Sequence, residues 1–129
     1  MSGSWQINHL KEAQRDLKRI IKVFKSKTQK EDYYNFYESL LKPLAESGIH
    51  PLAIREPIPG GVSLPDGVEL LKLRINVPGL TGAFSKLRVL FLRFLERKEI
   101  RIVAIYTHKD YEKRPPEDFI ANLIKKSMH

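Results

Sequence analysis

The sequence predicts an α+β domain, with helices packed against a small antiparallel sheet. Three observations point there. Up to about residue 44, apolar residues recur at steps of three and four, the spacing of one helical face. After Gly67 that spacing gives way to strand-length apolar runs, VELLKLRINV at 68–77, SKLRVLFLRFLE at 85–96 and EIRIVAIYT at 99–107, the last two with apolar residues on both parities, as expected of central strands covered at least partly on both faces. Only Arg97 and Lys98 separate the last two runs, so they should fold back as an antiparallel hairpin.

The first element, read from SWQINHLKEAQRDLKRIIKVFKSKT, is a helix with Leu10, Ala13, Leu17, Ile20, Ile21 and Phe24 on its apolar face. Thr28 and Glu31 have the capping-box spacing and announce a second helix, whose stripe is Tyr33, Phe36, Tyr37, Leu40, Leu41 and Leu44. Pro43 should kink or end that helix, because its ring removes a backbone donor, and Gly48 should stop it. Residues 48–67 carry four prolines and four glycines and read as an extended connection, laid against the body through Leu52, Ile54 and Ile58. The tail PPEDFIANLIKKSMH opens on prolines and acids and closes on lysines, which suits a short helix and its dipole.

At 129 residues the chain is expected to form one domain, 1–129, with no repeat and no second unit. It has no cysteine, which excludes a disulfide framework, thiolate chemistry and cysteine-ligated metal. No apolar run approaches the roughly 20 residues that span a bilayer, and MSGSWQINHLKEAQ has charges where a signal peptide has its apolar core. A cytoplasmic protein without a membrane partner is the expectation. Net charge +8 and a pI near 9.8 favour a polyanionic partner.

Strand parity sorts these charges. Leu71, Leu73 and Ile75 share one face of the first long strand, while Lys72, Arg74 and Asn76 share the other. In the next strand Leu87, Val89 and Phe91 oppose Arg88, which lies on the side of Leu90 and Leu92. With helices over the first set, Lys72, Arg74 and Arg88 should emerge together on the uncovered face. Arg88 interrupts an apolar strand and needs an anionic partner; Arg93 makes the same demand and has no assigned place. The third strand runs into YTHKDYEK, 106–113, where titratable groups follow a buried run.

LLKLRINVPG at 70–79, SKLRVLF at 85–91 and IRIVAIYTHKDYEK at 100–113, in this order after two helices, resemble the RelE/ParE superfamily of type II toxin-antitoxin toxins. The resemblance covers the chain from about residue 8 and implies a RelE-like fold. In the RelE-like branch it implies a ribosome-dependent mRNA endoribonuclease that needs no metal and no cofactor. There the 2'-hydroxyl attacks the adjacent phosphate and leaves a cyclic phosphate and a 5'-hydroxyl. Such a reaction needs proton removal, charge stabilisation on the phosphoryl oxygens and protonation of the leaving oxygen.

Carried over by position, the resemblance makes Arg88 the phosphate clamp and Lys72, Arg74 and Lys86 the RNA-binding cations. His108 becomes the proton donor or acceptor, Lys109 a further phosphate contact and Tyr111 a base-stacking or hydrogen-bonding residue. Asp110 drops out unless it is turned away. Leu70 stands where some members have a basic residue active in proton transfer, which leaves the general base unassigned. Glu69 falls on the Leu71 side, and PGLTGAF is longer than a tight hairpin.

The resemblance also implies a cognate antitoxin as partner, with ribosome and mRNA as targets in the RelE-like branch. Two other functions fit the same fold: a ParE-like inhibitor of DNA gyrase, or a binding module without catalysis. His9, His50 and His129, expected in a helix, a proline loop and the terminus, make no metal constellation, and neither Asp66 nor Glu69 is assigned a metal role. There is no phosphate-binding glycine loop and no serine nucleophile motif.

Overall fold

The computed structural model describes residues 4–128; the first three residues and His129 lie outside it. The chain runs β1 (Gln6–His9), α1 (Lys11–Ile21), α2 (Lys27–Leu40), α3 (Lys42–Ser47), β2 (Ala53–Arg55), β3 (Val68–Asn76), β4 (Lys86–Phe94), β5 (Glu99–Thr107) and α4 (Glu117–Ser127). A single 3-10 turn, Ala83–Ser85, leads into β4. The α+β class holds, and β3, β4, β5 and α4 fall where the sequence places them.

The sheet is larger than expected and is mixed. Its order is β1-β5-β4-β3-β2, antiparallel throughout except for β1, which runs parallel to β5 in the register Gln6↔Glu99 to His9↔Ile102. Residues 6–9 are therefore a strand rather than the start of the first helix, and His9 sits in that strand. The proline-rich connection contributes β2, paired with Leu71–Leu73 of β3. Leu52, Ile54 and Ile58 do not lie against the body; they are exposed, and Val62 and Leu64 pack there instead.

The second helix begins two residues earlier than Thr28 and Glu31 imply. Ser26 accepts from the Gln29 backbone at 3.0 Å and Gln29 reaches back to the Ser26 backbone, so the capping box is Ser26-Lys27-Thr28-Gln29. Pro43 ends this helix as expected, and the chain restarts at once as α3 with proline in its first turn. Gly48 closes α3 at φ 72°, its amide donating to Leu44 O at 2.8 Å. The Trp5 indole lies where a side chain on Gly48 would project. Gly48→Ala should cost at least about 1 kcal/mol in chemical denaturation, from left-handed strain and from displacing Trp5 beside β1.

Two cores lie on the two faces of the sheet. Leu73, Ile75, Leu87, Val89, Phe91, Ile100, Ile102 and Ile105 meet α1, α2 and α3 through Ala13, Ile20, Tyr37, Leu40 and Leu44. On the other face Leu70, Leu90, Leu92, Phe94, Val103 and Ala104 meet Ile120, Leu123 and Ile124 of α4. A bulge at Val103 separates the pairs Leu90↔Ala104 and Phe91↔Ile102, and lets β5 feed both cores on either side of it. Beyond Ile102, where β1 ends, two carboxylates take over the free edge of β5. Asp16 accepts from Ile105 N at 3.0 Å and Asp110 from Thr107 N at 2.9 Å.

Candidate functional site

Strand register sets the site. Arg74 pairs with Arg88 and Arg88 with Tyr106, so three side chains on adjacent strands form one row across the sheet. Lys86 lies two residues along β4 on the same face, and its carbonyl accepts from His108 N at 3.3 Å. Leu90 and Leu92 continue this face under α4. Basic row and second core are thus two halves of one face, and the expected uncovered surface is half covered.

Arg88 is 7% exposed, yet among the described residues its guanidinium meets no carboxylate. It donates to Leu87 O at 3.0 Å and contacts His108 Nε2 at 3.1 Å. A guanidinium can only donate, so Nε2 is the acceptor and the ring proton sits on Nδ1. His108 is therefore held neutral with its basic lone pair on Arg88. Its pKa lies below 6.5 because burial disfavours the cation, with Arg88, Lys86 and Arg74 adding repulsion and Glu112 opposing them. Burial, then Arg74, also lowers the Arg88 pKa.

Tyr106, 2% exposed, completes the row. Its hydroxyl is buried without a hydrogen-bond partner, and burial and then Glu56 push its pKa up to about 12. Beside it the cations are already engaged. Glu56, 8% exposed, accepts from Lys72 Nζ at 3.2 Å and from Arg114 Nη1 at 3.1 Å. Arg114 also donates to Pro57 O, tying the segment before α4 to the segment after β2.

The turn after β5 is built on Thr107. Asp110 N and Tyr111 N donate to its carbonyl, and Lys109 N donates to its hydroxyl. Asp110 turns back onto Thr107 and Arg19, away from the basic row. Lys109 is exposed, while Tyr111 packs edge-on against Tyr106 at 5.9 Å between ring centroids.

Of the residues singled out from the sequence, Arg74, Lys86, Arg88 and His108 come together. Lys72 shares their face but is tied to Glu56. Arg93 lies at the far end of β4 and pairs with Glu69 at 2.8 Å, which removes it from the site. Glu56, Tyr106 and Arg114 were missed. Parity could have found Tyr106, which stands on the same face as Ala104 and opposite Arg88. Among the described residues no cluster of three His, Asp or Glu has metal-binding geometry, and no helix is long and apolar enough to cross a membrane.

No protein-family model matches the sequence, and none of the curated proteins compared with it does. Among solved structures the chain is similar to the archaeal RelE-RelB complex from Pyrococcus horikoshii OT3. The two share 13% identity at a TM-score of 0.44, over 81% of this chain and 94% of that one.

Proposed function

We propose that this chain is the toxin of a type II toxin-antitoxin pair and acts as a metal-independent endoribonuclease on mRNA in the ribosome. The observation that carries this reading is the Arg88–His108 contact, a buried guanidinium without a carboxylate that holds a neutral imidazole by its lone pair. The sequence resemblance supplies the reaction class, and the row of Arg74, Arg88 and Tyr106 supplies groups suited to it.

Arg88 is the clamp for the scissile phosphate. When a phosphoryl oxygen takes its Nη2 donor, His108 Nε2 is released and accepts the proton of the 2'-hydroxyl. Arg74 and Lys86 add positive charge against the pentacoordinate phosphate, where a desolvated cation acts most strongly. Tyr106 remains protonated at neutral pH and provides an unspent donor in the same row. Lys109 meets the RNA backbone from the turn. Inhibition by an antitoxin follows from covering this face, which an acidic segment would do most readily.

The reading is tested by inducing the chain alone in cells and mapping RNA ends on translated and untranslated transcripts. Cuts confined to translated RNA, with cyclic phosphate and 5'-hydroxyl ends, are expected. Growth arrest with gyrase-linked DNA breaks and no RNA cuts would assign the chain to gyrase inhibition instead. Folded protein with neither effect would leave a binding module.

The pH dependence follows from His108. Its pKa is depressed in the free protein, so the base form persists below 6.5 and the acid limb of kcat/KM should lie under that value. Phosphate bound beside the ring favours the imidazolium and should move the limb of kcat upward relative to that of kcat/KM. His108→Ala should abolish the limb and lower the rate by roughly 10²-fold or more.

A further inference from the structure

The positive charge is not concentrated on the sheet face. Residues 11–30 hold eight cations and two acids, a net of +6, against +8 for the whole chain. Both acids are engaged: Glu12 with Lys126, and Asp16 with Ile105 N and Arg19. On the sheet, by contrast, Glu56 answers Lys72 and Arg114, Glu69 answers Arg55 and Arg93, and Glu99 answers Arg101.

Along α1 the cations are ordered. Lys11, Arg15, Lys18 and Lys22 stand at steps of four, three and four, all exposed and none in an ion pair among the described residues. They form one stripe about 16 Å long. Like charges four apart weaken a helix, and no carboxylate among the described residues forms an ion pair with this stripe. Beside it lies an open groove of about 560 Å³ between α1 and the start of α2, lined by Arg15, Lys18, Arg19, Ile21, Lys22 and Lys30.

From this charge and shape we infer that the outer face of α1 is a second docking surface, for the phosphodiester backbone of structured RNA. Five of the six lining residues, Arg15, Lys18, Arg19, Lys22 and Lys30, are cations. A phosphate backbone asks only for closely spaced donors and charge. α1 packs on the sheet face opposite the basic row, so this surface holds the protein on folded RNA while the row meets the strand to be cut. The choice of RNA over another phosphodiester rests on the nuclease reading; the surface itself does not.

The test measures binding of the full chain to purified ribosomes, to an RNA hairpin, to a DNA duplex of equal length and to polyglutamate across a salt titration. Arg15→Gln, Lys18→Gln and Lys22→Gln combined should lower hairpin and ribosome affinity at least tenfold. The log–log salt slope should fall by about two to three. A control with the same charge loss elsewhere, Lys42→Gln, Lys98→Gln and Lys125→Gln, should bind nearly as wild type, and both variants should keep the native circular dichroism melt.

An unchanged slope in the α1 variant, or an equal loss in the control, overturns the surface. Tighter binding to polyglutamate than to the hairpin overturns the phosphodiester assignment, and tighter binding to the DNA duplex overturns the choice of RNA. Arg88→Ala should change the slope by no more than about one. Wild-type protein that never cuts mRNA, with the α1 variant still losing hairpin binding, would retire the nuclease reading and leave the α1 surface standing.

Discussion

Under the proposed nuclease function, Arg88→Ala should lower the rate of mRNA cleavage by roughly 10² to 10³ while the protein stays folded. The size of the effect comes from burial: at 7% exposure the guanidinium acts where water screens little, on charge that grows as the 2'-oxygen attacks. The same substitution frees His108 from its donor and removes the first of the charges holding its pKa down. The acid limb of kcat/KM should therefore move up toward the ordinary histidine value as the rate falls. Arg88→Lys should rescue little, because an ammonium on a flexible stem cannot hold a phosphoryl oxygen and the imidazole in one fixed fork. A simple electrostatic role would give partial rescue by Lys; single-turnover cleavage by the Lys and Ala variants distinguishes the two.

Glu56→Ala should cost about 2–3 kcal/mol in chemical denaturation. The carboxylate side chain is 5% exposed and serves Lys72 at 13% and Arg114 at 19%. Removing the shared anion leaves two cations poorly hydrated and facing each other, the costly way to break a buried ion pair. The residual exposure of both cations keeps the figure below the 3–5 kcal/mol of a fully buried pair. Polyanion affinity should move the other way, since Lys72 and Arg114 become free to meet phosphate. Glu56→Gln keeps one acceptor and should lose less stability. A variant that loses stability without gaining affinity for a short RNA would show that these cations do not reach the ligand.

The three long strands were legible because their residues agree at every level. Leucine and isoleucine alternate with charge in β3, apolar residues fill both parities of β4 and β5, and turn residues bound each run. β1 was not legible: QINH offers a single apolar residue, and its pairing with Glu99–Ile102 is supplied by a strand far along the chain. β2 is three residues set between prolines, too short for a period to show. Ser26 was passed over because Thr28–Glu31 satisfies the same rule two residues later, and only the fold decides which turn starts the helix.

The site divides in the same way. Arg74, Arg88 and His108 could be placed by counting along strands, since β3, β4 and β5 are neighbours in sequence and in the sheet. Glu56 could not. It lies in the proline-rich connection, and its partners are 16 and 58 residues away, separations that no local pattern encodes. As a result the sequence overstated the free charge of the sheet face, where a carboxylate holds Lys72, and left the charge of α1 unused.

β1 has one more consequence, in time rather than in space. Its partner, β5, follows every other strand of the described sheet, so the sheet cannot close until Glu99–Thr107 has been made, and the residues of the basic row are drawn from β3, β4 and β5. Contacts this distant in sequence form late and slowly. The row of Arg74, Arg88 and Tyr106 is therefore complete only once β5 has joined β4 and β3.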